Sequence, residues 1–190
     1  MNAVTTRPDS WQAVRDLVKN IGHEYRQEPF LLASGRKSHD YIDGKHAVAY
    51  GDNLMTAARA IADLAAARDI EFDAVGGLTM GADAIAIAVA VVAHKDWFSV
   101  RKERKKRGLD QYIEGARFEP GVTRVLVVDD VVTSGGSIGQ ACSRAREAGA
   151  TVTGVIPMVD RGDAATKLFA ELGLPYFPLV TYGDLGIEPV

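Results

Sequence analysis

Residues 125–128 read Val-Leu-Val-Val, and Asp129 and Asp130 follow at once. An apolar run without polar alternation predicts a strand buried on both faces, as inside a parallel sheet. Its C-terminal end is the edge at which open α/β sheets bind ligands. Val131, Val132, Thr133, Ser134, Gly135, Gly136 and Ser137 come next, and then a helical pattern. Glycines there let backbone N–H groups turn inward toward an anion. The hydroxyls add donors, and the dipole of the following helix favours negative charge. The block is therefore an anion cradle with two carboxylates at its mouth. Those acids would repel a bare phosphate, so they face sugar hydroxyls or a divalent cation that screens the charge. Strand alternation sends Asp129 and Asp130 to opposite sides, which predicts different roles for them.

Two other nucleotide motifs are absent from this block. It holds no Gly-Lys-Ser/Thr, so it is not a Walker loop, and its glycine spacing does not fit G-x-G-x-x-G, which disfavours a dinucleotide fold. The competing reading is an ordinary strand–loop–helix connection with acidic caps.

A chain of 190 residues, 47% of them hydrophobic, suits one domain with a sizeable core. Its net charge of −3 and pI of about 5.8 supply no global basic field for nucleic acid. The single cysteine, Cys142, falls in the helix after the cradle. It cannot form an internal disulfide, which fits a reducing cytoplasm, and a small core residue is the simpler reading than a nucleophile. Residues 1–10 are polar and show no hydrophobic h-region of a secretory signal. Residues 82–93 are very apolar but too short to span a bilayer, and predict a buried helix.

The remaining segments set the order of elements. Trp11, Val14, Leu17, Val18 and Ile21 recur at helical spacing, with Asp9 or Ser10 as cap and Gly22 as stop. Residues 30–45 place apolar residues around Ser34-Gly35 and restart at Tyr41-Ile42, which predicts a hairpin. Residues 52–68 predict a helix with Leu54, Ala57, Ala58, Ile61, Leu64 and Ala65 on one face. A short strand over 72–75 leads into Gly76-Gly77-Leu78-Thr79-Met80-Gly81. These glycines serve either a second anion site or tight helix–sheet packing. Further strands are expected over 97–100, 151–159 and 176–180, and a helix over 164–172. Gly149 stops the helix that follows the cradle. Residues 181–190 carry no assignment.

Between the third strand and the cradle strand lies a basic run, Arg101-Lys102-Glu103-Arg104-Lys105-Lys106-Arg107-Gly108, with six cations and one acid. With residues 109–115 it forms a long polar connection. Three readings fit: a lid over a polyanion, a solvated loop, or a nucleic-acid contact. For the lid, closure would bring several cations to where charge develops and would exclude water. Another arginine, Arg161, ends the strand of residues 151–159. It can pair bidentately with a carboxylate, or form a surface ion pair with Asp160 or Asp163.

The block from Val125 to Ser137 resembles the PRPP-binding signature of the type I phosphoribosyltransferases. The hairpin, the Gly-Gly-Leu-Thr loop and the basic run with Ile113-Glu114-Gly115 are similar, in order, to their orotate-using branch. The resemblance covers about residues 30–161. The order of elements gives an α/β fold, a mainly parallel twisted sheet with helices on both faces plus a small N-terminal hood, and the resemblance implies that this is the type I phosphoribosyltransferase fold. In this reading the hood takes about residues 1–50 and the C-terminal segment, the core about 51–180, and the lid about 101–115. The implied reaction is orotate plus PRPP giving orotidine 5′-phosphate and pyrophosphate, in pyrimidine synthesis. By resemblance Arg101, Lys102, Lys105, Lys106 and Arg107 meet the pyrophosphate, and the first three are catalytic with Asp129 and Asp130. The two acids also hold the ribose hydroxyls, directly or through Mg²⁺ carried mainly by PRPP, and residues 131–137 hold the 5-phosphate. Thr133, Arg161, Tyr41 and Ile42 orient orotate. A cytoplasmic homodimer that shares its lid between subunits is implied as well, with no nucleic-acid or membrane partner.

Three positions depart from many family members. Ala33 and Met80 stand where lysines are common, and Arg107 stands where a histidine is common. The first two remove cations, and the third removes a proton donor, since arginine stays charged. The extra lid residues Arg104, Lys106 and Arg107 are expected to compensate. Two alternatives share these motifs: a phosphoribosyltransferase for another nucleobase, and a non-catalytic PRPP-sensing regulator.

Overall fold

The computed structural model describes residues 9–31, 35–103 and 112–189. Helix α1 (Trp11–Leu17) runs into a π-helical turn (Val18–Gly22). Ser10 does not cap it through its side chain; its hydroxyl donates to Asp63 instead, at 2.8 Å. The hairpin follows as β1 (His23–Leu31) and β2 (Lys37–Ile42), an antiparallel pair that forms its own sheet. A short α2 (Gly44–Ala47) leads to the long α3 (Gly51–Ala67). The rest is β3 (Ala74–Leu78), α4 (Asp83–Ala93), β4 (Asp96–Val100), β5 (Ile113–Gly115), β6 (Arg124–Val132), α5 (Gly136–Glu147), β7 (Thr151–Asp160), α6 (Ala164–Glu171), β8 (Val180–Thr181) and α7 (Tyr182–Leu185).

The main sheet has the order β5-β4-β3-β6-β7-β8. All its pairings are parallel except β4 with β5. Residues 125–128 have no exposed surface at all. Leu126 and Val128 belong to the core shared with α1, α3 and α4, whereas Val125 and Val127 face α5 and α6. That is the period-2 alternation of a strand covered on both faces. Each such side chain contributes about 1.5–3 kcal/mol relative to an exposed one.

Several boundaries differ from the sequence reading. Gly76, Gly77 and Leu78 continue the strand instead of opening a loop. A Cβ on Gly76 would stand 2.3 Å from the Phe98 carbonyl oxygen, and one on Gly77 2.2 Å from that of Val128. These two glycines therefore serve close packing between strands, and the turn starts only at Thr79. The polar connection ends earlier than residue 115, because residues 113–115 pair with β4. The strand expected over 176–180 shrinks to one bridge at Tyr176 and the two residues of β8. Helix α4 is only partly buried: Ile87 and Val91 are exposed. Cys142 is buried, and burial pushes its thiol up to about 12, as suits a core residue. Among the described residues no helix is long and apolar enough to cross a membrane.

Candidate active site

Strand β6 carries its two acids to the C-terminal edge, where its neighbours β3 and β7 also end. Asp129 and Asp130 are 6% and 8% exposed, little for two adjacent carboxylates. Each is held by the next peptide: Asp129 Oδ1 accepts from the Asp130 N–H at 3.0 Å, and Asp130 Oδ1 from the Val131 N–H at 2.9 Å. These local bonds override the alternation. A Cβ on Gly81 would stand 2.6 Å from Asp129 Oδ1 and 2.7 Å from Asp130 Oδ1, so the two carboxylates converge on one turn. The expectation of opposite sides is corrected on this point.

The acids differ in their partners. Asp130 Oδ2 accepts a hydrogen bond from Lys45 Nζ at 2.9 Å. Burial, and then the charge of Asp130, push the Asp129 carboxyl up to about 7. The hydrogen bond to Asp130 holds the Lys45 ammonium above its ordinary value. Helix α2 brings Lys45 there. Its N-cap Asp43 accepts from the His46 N–H at 2.9 Å, and Gly44 packs so closely on β6 that a Cβ would meet Val131 Cγ2 at 2.7 Å. Sequence reasoning missed Lys45 because no local pattern links it to an acid 85 residues away.

Beyond the acids, Val132 is buried and Thr133 half-buried, whereas Ser134, Gly136 and Ser137 are exposed. Gly135 has φ of +81°, and a Cβ there would meet Leu168 at 2.9 Å, so this turn requires glycine. The turn delivers the chain into α5 with the exposed residues Gly136 and Ser137 at its start, where the first N–H groups of a helix can meet an anion.

On the other side, Thr79, Met80, Arg101, Lys102 and Glu103 line an open cleft of about 460 Å³. Met80 is 78% exposed there. Arg101 donates to Glu114 at 3.3 Å, and its Nε is buried without a hydrogen-bond partner among the described residues. Arg144 of α5 fixes both stems of the basic connection. Its Nη1 donates to the Arg101 carbonyl, its Nη2 to the Lys102 carbonyl at 2.9 Å, and its guanidinium lies 3.8 Å from the Tyr112 ring centre. Lys105, Lys106 and Arg107, like Ala33, lie outside the described residues.

Arg161 follows β7 directly and is 8% exposed. It makes no surface ion pair with Asp160 or Asp163. Its Nε donates to Tyr182 Oη at 2.6 Å and its Nη2 to the Asp40 carbonyl at 3.1 Å. Asp160 turns away, accepting from Tyr176 Oη at 2.8 Å and the Gly162 N–H at 3.1 Å. The hairpin reaches the same corner: the Phe30 ring centre lies 6.0 Å from the Arg161 guanidinium and 5.7 Å from the Tyr41 ring. Ile42 places its side chain in the core, so only its backbone can meet a ligand. Tyr182 was missed because the tail shows no periodicity.

Among the described residues no three His, Cys, Asp or Glu side chains converge as a self-sufficient metal site. An ion beside Asp129 and Asp130 would thus draw most of its ligands from a bound molecule's oxygens. The edge offers separate regions for an anion, for hydroxyls and for a carboxylate.

No protein-family model matches the chain. It is 43% identical over 194 residues to the orotate phosphoribosyltransferase of Corynebacterium glutamicum, which spans 99% of this chain and 100% of that protein. It is 38% identical over 156 residues to that of Pyrococcus furiosus, covering 82% of this chain and 85% of the relative. The crystal structure of the Mycobacterium tuberculosis orotate phosphoribosyltransferase in complex with 5-phospho-alpha-D-ribosyl 1-diphosphate is similar at a TM-score of 0.74. It is 32% identical, over 95% of this chain and 100% of that one.

Proposed function

The chain belongs to the orotate phosphoribosyltransferase family, and on that premise we propose how its own residues carry the reaction. The enzyme transfers the 5-phosphoribosyl group of PRPP to orotate, giving orotidine 5′-phosphate and pyrophosphate, a step of pyrimidine synthesis. The observation that supports the assignment of roles is the single sheet edge. On it a glycine–hydroxyl cradle, a buried acid pair and a buried arginine stand side by side.

In this reading the N–H groups and hydroxyls of residues 131–137 hold the 5-phosphate, and Asp129 and Asp130 hold the ribose hydroxyls. PRPP is a metal-bound substrate in such enzymes, and Mg²⁺ would face Asp129 and Asp130 and neutralise pyrophosphate oxygens. Arg101, Lys102, Lys105, Lys106 and Arg107 stabilise the pyrophosphate as it departs from an oxocarbenium-like centre. Thr133, Tyr41 and the backbone of Ile42 frame the base, and Arg161 takes its carboxylate. No covalent enzyme nucleophile is needed. The site sits in one catalytic domain with an N-terminal hood and a lid over about residues 101–112, ahead of β5. A homodimer is supported by the exposed Ile87 and Val91 of α4. A cytoplasmic location is supported by the single buried cysteine.

The test is turnover with PRPP and Mg²⁺, following loss of orotate absorbance, with adenine, guanine, xanthine and uracil in parallel. Consumption of orotate alone is expected. Turnover with another base in preference would overturn the role given to Arg161. Binding of PRPP without any turnover would favour a regulator.

A further inference from the structure

Arg161 is a nearly buried cation whose partners are both neutral oxygens, Tyr182 Oη at 2.6 Å and the Asp40 carbonyl at 3.1 Å. Neither partner cancels its charge, so the attraction for an incoming carboxylate remains. The two contacts occupy one edge of the guanidinium, Nε with Nη2. A bidentate carboxylate needs an edge of two parallel N–H groups. The edge left for it is Nη1 with the second hydrogen of Nη2.

What occupies the first edge is firmly placed. Tyr182 has no exposed surface and opens α7. That helix is fixed by a reciprocal cap, in which Thr181 Oγ1 accepts from the Asp184 N–H at 3.3 Å and the Thr181 N–H donates to Asp184 Oδ2 at 2.8 Å. Tyr182 Oη lies 3.3 Å from the Asp40 carbonyl, to which it donates. Asp40 is held in turn by His23, whose Nε2 lies 2.8 Å from its Oδ1. The C-terminal helix and the hairpin thus meet on one face of Arg161.

We infer that Tyr182 is a positioning residue for base recognition: its hydroxyl holds Arg161 Nε, so that the Nη1–Nη2 edge is the one presented to the substrate carboxylate. Without that hydroxyl the guanidinium can turn about its own stem and offer the wrong edge. The inference rests on the reading that Arg161 binds the carboxylate of orotate.

Tyr182→Phe keeps the ring and removes only the hydroxyl, which accepts from Arg161 Nε and donates to the Asp40 carbonyl. We expect the KM for orotate to rise about ten-fold, the KM for PRPP to stay within about two-fold, and the preference for orotate over uracil to fall. Arg161→Lys and Arg161→Gln serve as the reference. If they leave the orotate KM unchanged, the reading of Arg161 itself fails. If they raise it and Tyr182→Phe does not, the role of Tyr182 is overturned. Equal rises in both KM values for Tyr182→Phe would reduce it to a structural residue and overturn the inference as well. Should that variant not fold, the wild-type enzyme carries the test through nitrogen-15 NMR of the Arg161 side chain. On adding orotate with PRPP the Nη signals should move while Nε–H stays protected and unshifted; a displaced Nε signal would overturn the inference.

Discussion

Lys45 Nζ stands 2.9 Å from Asp130 Oδ2, joining the short helix after the hairpin to the acid pair at the centre of the sheet edge. It is the cation that neutralises one of two adjacent carboxylates before any ligand arrives. Its own side chain is 59% exposed, so the pair contributes less than about 1 kcal/mol to stability. Its effect falls on the charge of the site. Lys45→Gln should therefore leave the melting temperature nearly unchanged and raise the KM for PRPP about ten-fold, because an uncompensated acid pair repels the polyanion. Steady-state kinetics beside thermal melts decide it; an unaltered PRPP KM would remove Lys45 from the site.

The glycines near the second loop separate fold from function. Gly77→Ala forces a Cβ to 2.2 Å from the Val128 carbonyl oxygen and 2.5 Å from Ala82 Cβ, both rigid. A loss of about 3 kcal/mol is expected in denaturant unfolding. Gly81→Ala instead presses on the ends of the Asp129 and Asp130 side chains, at 2.6 and 2.7 Å. It should fold with little loss and bind PRPP more weakly. If Gly81→Ala were the less stable of the two, this division would be wrong.

Lys105 falls in the basic connection, whose stems are held by Arg144. A cation that acts on the departing pyrophosphate stabilises the transition state more than the ground state. Lys105→Ala should lower kcat about a hundred-fold with a smaller change in the PRPP KM. Equal losses in kcat and PRPP affinity, measured by steady-state kinetics with direct PRPP titration, would count against a transition-state role.

Acid stability has a visible contributor far from the site. Asp73 accepts from the Arg124 backbone N–H at 2.9 Å, from Nε at 3.1 Å and from Nη2 at 2.9 Å. Those bonds lower its carboxyl from 3.8 to about 2. A carboxyl held below its unfolded value stabilises the fold above that value, and the contribution disappears as pH falls through the folded one. The carboxyl is 41% exposed, so screening limits the effect to about 0.5–1 kcal/mol. Urea unfolding of wild type and Asp73→Asn should differ by that amount at neutral pH, and the gap should close as pH falls from 4 toward 2. A gap that persists in acid would show that the carboxylate charge is not its source.

Legible in the residues alone were the strand of residues 125–128, the turn at Gly135, the helices and the sheet edge where the chemistry gathers. Each of these follows from local physics: an apolar run with no polar face, a position that only glycine occupies at φ of +81°, and a 3.6-residue period. Packing of distant segments settled what the local pattern left open. It made Gly76 and Gly77 packing residues, because whether a glycine faces an anion or another backbone depends on the neighbouring strands. It turned both acids toward Gly81, because each carboxylate's bond to the next N–H outweighs strand alternation there. It brought Lys45 to Asp130 and Tyr182 to Arg161, pairs separated by 85 and 21 residues, whose contacts exist only once β6 and β7 bring their ends to a common edge.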